Sequence, residues 1–185
     1  MTEKTASRSA QEQAAAPVAA GAVFTIGHSN VPLERLVAML NDRGVEVLVD
    51  VRSVPHSRYV PEANRETLRP ALAAAGMQYL FLGDRLGGRP QDVDLIDGAG
   101  RQDYSRLAED ERFRAGLDRV VEGAARRRVC LLCSEEDPAR CHRGFLIGRE
   151  LARRGVDVRH IRHDGSLEPQ SDLARRLPPV QKSLF

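Results

Sequence analysis

The feature that most constrains this chain is an alternation repeated along it. A short apolar, β-branched run is followed by a polar cluster and then by a stretch with helical periodicity. "AVFTIG" (22–27) reads as a first strand, and Leu33, Leu36, Val37 and Leu40 then share one face of a helix that stops at Gly44. "VEVLVDV" (45–51) is a second strand, "RETLRPALAAAG" a helix bent at Pro70 and closed by Gly76, and "MQYLFLG" (77–83) a third strand. A polar loop from Asp84 to about Asp103 leads into "YSRLAEDERFRAGLDRVVEGAARR", which reads as one long helix with Phe113, Leu117, Val120, Val121 and Ala124 on its apolar stripe. "RVCLLC" is a fourth strand, "PARCHRGFLIGRELARRG" a helix, and "VDVRHIR" a fifth strand. Strands joined through helices run parallel and are covered on both faces. The expected fold is therefore α/β, a three-layer α/β/α sandwich with a mainly parallel sheet of about five strands. Residues 22–165 form the expected domain. Residues 1–21 are an Ala-rich leader without the order of a signal peptide, read as disordered. A turn signal at Asp164–Gly165 opens a tail, 166–185.

In a parallel sheet all strands end on one edge, and open α/β sheets bind ligands there. The first strand ends in Gly27-His28-Ser29-Asn30. The second ends in Asp50-Val51-Arg52-Ser53, with His56, Ser57 and Arg58 soon after. The third leads to "GDRLGGR", and the fourth delivers Cys133-Ser134-Glu135-Glu136-Asp137. His28, Ser29, Asp50, Arg52, Arg58, Arg89 and Arg143 are the candidate ligand-binding residues. Forked arginines suit a phosphate or another anionic group. Pairing of the same arginines with Asp50, Glu135 and Asp137 is the competing structural reading. Gly87-Gly88 is not a phosphate loop, because the GxxxxGK[ST] pattern is absent.

Composition narrows the class. The net charge is +2 and the apolar fraction 42%, as in a soluble globular protein rather than one with an all-over nucleic-acid footprint. Three cysteines, two of them in one motif, argue against a disulfide framework and for a reducing cytoplasm. No apolar run approaches the ~20 residues of a membrane span.

The densest chemistry is "LLCSEEDPARCHRG" (131–144). Asp137-Pro138 is a helix-start signal, which sets Cys141, His142 and Arg143 in about the second turn, where a helix N-terminus favours thiolate or a bound anion. Strand alternation places Val129, Leu131 and Cys133 on one face, and Cys130 and Leu132 on the other. Cys133 thus lies near Cys141, while Cys130 is a small buried hydrophobe. Four chemistries stay open. Cys133 is a nucleophile assisted by Cys141, His142, Arg143 and Glu135. Cys133 and Cys141 form a redox pair. Cys133, Cys141 and His142, with His28, hold a metal, although the spacing matches no standard zinc pattern and adjacent Cys-His ligands are awkward on a helix. Or Glu135, Asp137 and Arg143 stitch the loop and the cysteines pack. A phosphatase or rhodanese loop is excluded, since Ala139 stands where the arginine six after Cys133 is required. No cofactor is indicated by these patterns, and no metal is assigned.

"TIGHSN", "LVDVRSVPHSR", "YLFLGDRLGGR", "LLCSEEDPARCHR" and "VRHIRHDG", in that order from Phe24 to Gly165, resemble the DUF488 family. The resemblance implies a compact three-layer α/β domain and no particular reaction. One departure is the "YVPEAN" that follows Arg58, where the family pattern leads one to expect an aromatic after the proline.

The chain ends in "QKSLF" behind the extended tether "RRLPPV". This end is similar to the bacterial sliding-clamp-binding peptide, with Leu184 and Phe185 for an apolar pocket and Gln181 for a polar subsite. It implies a clamp partner through residues 181–185, a role in DNA repair, and a nucleotide or nucleic-acid ligand at the rim. A noncatalytic clamp and nucleic-acid adaptor is the alternative to an enzyme. Few aromatics (no Trp, three Tyr) speak against a long single-strand channel.

Overall fold

The computed structural model describes residues 21–89, 95–96 and 103–177. The expected leader up to residue 20 and the peptide residues Gln181, Leu184 and Phe185 lie outside the described residues.

Six strands form one sheet: β1 (Val23–Gly27), β2 (Val47–Asp50), β3 (Gln78–Phe81), β4 (Val129–Cys133), β5 (Val158–Ile161) and β6 (Leu167–Pro169). Their order is β3-β2-β4-β1-β5-β6, and β6 alone is antiparallel. The sixth strand and the helix α7 (Gln170–Arg176) fall in the stretch expected to be tail. Three residues with a proline, on a sheet edge, carry almost no strand signal in sequence.

Helices α1 (Leu33–Asp42) and α2 (Arg65–Ala74) cover one face of the sheet, against Phe24, Ile26, Leu48, Cys130 and Leu132. Helices α3 (Gly83–Leu86), α4 (Tyr104–Glu109), α5 (Glu111–Ala124) and α6 (Arg149–Arg153) lie on the other side, where Val23, Val49, Leu131 and Cys133 point. This is the expected three-layer α/β sandwich.

The single long helix expected over residues 104–127 is two helices. Asp110 interrupts it, and its carboxylate accepts from the Phe113 N–H at 3.0 Å as the N-cap of α5. The stripe of Phe113, Leu117, Val120 and Ala124 is buried as its spacing requires, each larger side chain contributing about 2 kcal/mol.

The helix expected from Pro138 onward is also broken. Asp137 caps a 3-10 turn, Pro138–Arg140, through the Ala139 N–H at 3.0 Å. Cys141 is then extended (φ −132°, ψ 139°). A π-helix follows at Arg143–Gly148, and only then α6. Cys141 and His142 therefore do not occupy the second turn of a continuous helix.

Among the described residues no helix is long and apolar enough to cross a membrane.

Candidate functional site

Cys133 ends β4, the strand between β2 and β1, and is level with Gly27 of β1. The chain turns over the edge of the sheet and returns Cys141 and His142 above it. The Nδ1 of His142 lies 3.6 Å from the Cys133 sulfur and 3.9 Å from the Cys141 sulfur. All three donor atoms lie within 4.8 Å of one another, and all three residues are buried. The extended conformation of Cys141 makes this convergence accessible. In a regular helix, neighbouring side chains diverge by about 100°.

His142 Nε2 donates to the Val51 carbonyl at 3.2 Å, the acceptor beside it. That bond places a proton on Nε2 and turns Nδ1 toward the sulfurs. Gly88 holds the ring from the other side, since a Cβ there would come within 2.7–3.0 Å of the imidazole. The glycine pair after α3 is thus packed on His142 and Ser53 rather than open to a ligand.

The two sulfurs lie within 4.8 Å of each other. The neighbouring Cys133 thiol holds the Cys141 thiol well below its usual range despite burial, with further help from His142 and Arg143. The same proximity, together with burial, pushes Cys133 up. Cys130, on the opposite face of β4, is raised by burial. All three cysteines are free thiols.

Two arginines expected at the rim are held inside. Arg143 is fully buried, and its guanidinium donates to the Glu135 carbonyl, to the Glu136 carbonyl at 2.7 Å and to Thr25 Oγ1 at 3.3 Å. Thr25 continues to His160 Nδ1 at 2.7 Å, and His160 Nε2 to Gln170 Oε1 at 2.8 Å. Burial lowers the His160 pKa to about 4, so the imidazole is neutral and links hydroxyl to amide. Glu135 contributes its backbone to this knot, while the residue itself is exposed.

Arg52 forms a bidentate pair with buried Asp50, at 2.6 and 2.9 Å, and also reaches the Ala63 carbonyl and His28 Nε2. Tyr79 donates to the same carboxylate at 2.7 Å, and burial, with Asp50, pushes its hydroxyl up. Burial and Arg52 lower the pKa of His28 to about 4. His28 Nδ1 donates to the Ser29 carbonyl at 2.8 Å. Ser29 has φ 42°, alone among the described non-glycine residues in being positive, and its N–H is fixed on the Ser134 carbonyl at 2.7 Å.

Arg58 lies exposed over the Tyr59 ring, 4.8 Å from its centroid. Arg89 is exposed beside Gly88, its backbone held by Ser53 Oγ at 2.9 Å.

The structure thus brings Cys133, Cys141 and His142 together and groups His28, Ser29, Asp50 and Arg52 beside them. It leaves Glu135, Arg58 and Arg89 at the surface. Thr25, His160, Gln170 and Tyr79 were not foreseen. The one signal for the first three was a histidine inside the apolar strand "VRHI".

The model of the domain of unknown function DUF488 matches residues 32–149, which span β2, β4 and the whole Cys-His run. The chain belongs to the DUF488 family. Its DUF488 segment includes the three converging donors, whereas β1, β5, β6 and α7 lie outside the match. No curated protein and no solved structure matches the chain.

Proposed function

We propose that this DUF488 protein is a thiol centre: it holds an electrophilic ligand against Cys133 and Cys141 at the C-terminal edge of its sheet, with His142 as third donor. The observation that carries the reading is the convergence of two sulfurs and an imidazole nitrogen within 4.8 Å. Packing cysteines need no such partner. Cys130, three residues earlier on the same strand, sits among apolar neighbours. An anionic group on the ligand, such as a phosphate ester or nucleotide, would meet Arg89, the exposed cation next to Gly88.

Limited alkylation of the reduced protein with iodoacetamide, mapped by peptide mass, tests the reading. Cys141, whose thiol is held low, is expected to label first and Cys133 more slowly, while Cys130 stays silent. Equal labelling of all three would mean that reaction follows unfolding, and the reading would fail.

A second, noncatalytic reading rests on the "QKSLF" end alone. In it the tail binds a sliding clamp and brings the domain to DNA undergoing repair. A chain lacking residues 181–185 that binds purified clamp as well as the full chain does would end that reading.

A further inference from the structure

We propose that the electrophile held by Cys133, Cys141 and His142 is a soft divalent metal ion, Zn²⁺ being the best fit. This rests on the thiol-centre reading and names its ligand. The support is geometric. Zinc bonds of ~2.3 Å to sulfur and ~2.0 Å to nitrogen at tetrahedral angles require edges of about 3.6 Å between sulfur and nitrogen and about 3.8 Å between sulfurs. The two sulfur–nitrogen separations are 3.6 and 3.9 Å, and the sulfurs lie within 4.8 Å of each other. The sulfur–nitrogen edges need adjustments of only a few tenths of an ångström, and the sulfur–sulfur edge, within 4.8 Å, closes toward about 3.8 Å by a rotation of the cysteine side chains.

The surroundings fit the same chemistry. Metal-ligating histidines commonly donate their second nitrogen to a carbonyl or carboxylate, which fixes tautomer and ring orientation. His142 does this with Val51. Two thiolates and one imidazole are a soft, borderline-nitrogen set that selects zinc-like ions over magnesium or calcium. Entry of the ion displaces to solvent any proton the two sulfurs still hold, leaving a neutral metal–dithiolate core.

Among the described residues no fourth histidine, cysteine or carboxylate joins the group. One tetrahedral position is left for a water or a ligand atom. Among the described residues, the hydrogen-bond acceptors of the fully buried Arg143 guanidinium are neutral oxygens. An anionic fourth ligand, such as hydroxide, carboxylate or a phosphate oxygen, would match its charge.

The test uses the full, freshly reduced chain. Titration with Co²⁺ is expected to give one bound ion per chain with a sulfur-to-cobalt charge-transfer band, which Zn²⁺ bleaches. Cys133→Ser, Cys141→Ser and His142→Gln each lower the affinity about 100-fold or more, while Cys130→Ser leaves it unchanged. Because a variant could misfold, iodoacetamide labelling of the unmutated protein is measured with and without Zn²⁺. Protection of Cys133 and Cys141 by one equivalent of Zn²⁺ supports the site. Absence of binding by a protein whose Cys133 and Cys141 still label selectively overturns the metal and leaves the thiol centre standing. Metal bound without protecting those sulfurs also overturns it. Failure of selective labelling in the metal-free protein removes the thiol centre itself.

Discussion

Cys130 and Cys133 stand three residues apart on one strand and live in different chemistries. Cys130 faces α1 and α2 and touches an apolar cluster. Cys133 faces the other layer, at the end of the strand, and meets Cys141 and His142. Nothing separates them but the two-residue period of the strand and the distance to its end. The contrast extends to their surroundings. Thr25, His160, Gln170 and Arg143 form a buried polar chain on the Cys133 side. The core beneath α1 and α2 is held by packing, its buried polar group of Asp50, Arg52 and Tyr79 confined to the sheet's edge. One face of this sheet is a core, and the other is a core that carries a site.

That contrast can be broken most strongly at Arg143. Arg143→Ala would leave two backbone carbonyls and a threonine hydroxyl buried without their donor. It is expected to cost about 3–5 kcal/mol in chemical denaturation. A cost near that of an exposed arginine would show that the polar chain is not what holds the Cys loop.

Acid gives the next effect. His160 and His28 have folded pKa values near 4, below the unfolded 6.5. Between those values the unfolded chain binds more protons, so stability falls as pH drops from about 6.5 to 4. Each histidine contributes up to about 3 kcal/mol of that loss. A stability that stays flat over this window in pH-dependent denaturation would mean that these rings are not buried as neutral imidazoles.

Cys130→Ser sharpens the other side of the comparison. A hydroxyl in that apolar cluster is expected to cost about 1–3 kcal/mol, and Cys130→Val less than about 1.5. Thermal melts would read both, with Cys133 and Cys141 labelling unchanged. The smallest effect belongs to the surface. Arg176 bridges Asp137 and Glu168, and the Arg176 hydrogen bond is the main reason the Asp137 carboxyl is lowered. The pair is partly exposed, so Arg176→Ala is expected to cost about 1 kcal/mol or less.

Much of this contrast was legible in the sequence. Alternation along "RVCLLC" assigns the two cysteines to opposite faces, and the repeated strand–helix order yields the layers. The break at Cys141 was not legible, because Asp-Pro announces a helix start and nothing in "ARCHRG" announces its interruption. Asp110 was hidden in the same way, as one more acid in a polar helical turn. Arg52 and Arg143 look like rim cations because strand ends are polar. Their burial follows from acceptors that only the folded loops supply: Asp50, the Ala63 carbonyl, and the carbonyls of residues 135 and 136. The metal reading met two objections in sequence, a spacing that matches no standard zinc pattern and adjacent ligands on a helix. The second does not apply to an extended Cys141.

The π-helix from Arg143 to Gly148 makes the bearing of Cys141 and His142 a matter of residue count. Each residue of an α-helix turns the chain by about 100°. Removing one residue from this wide turn would let it rewind as an ordinary helix continuous with α6. Every side chain before it would then swing by roughly that angle, although no ligand had been substituted. In this protein a one-residue deletion several positions from the sulfurs is expected to disperse the three donors more completely than a point change beside them.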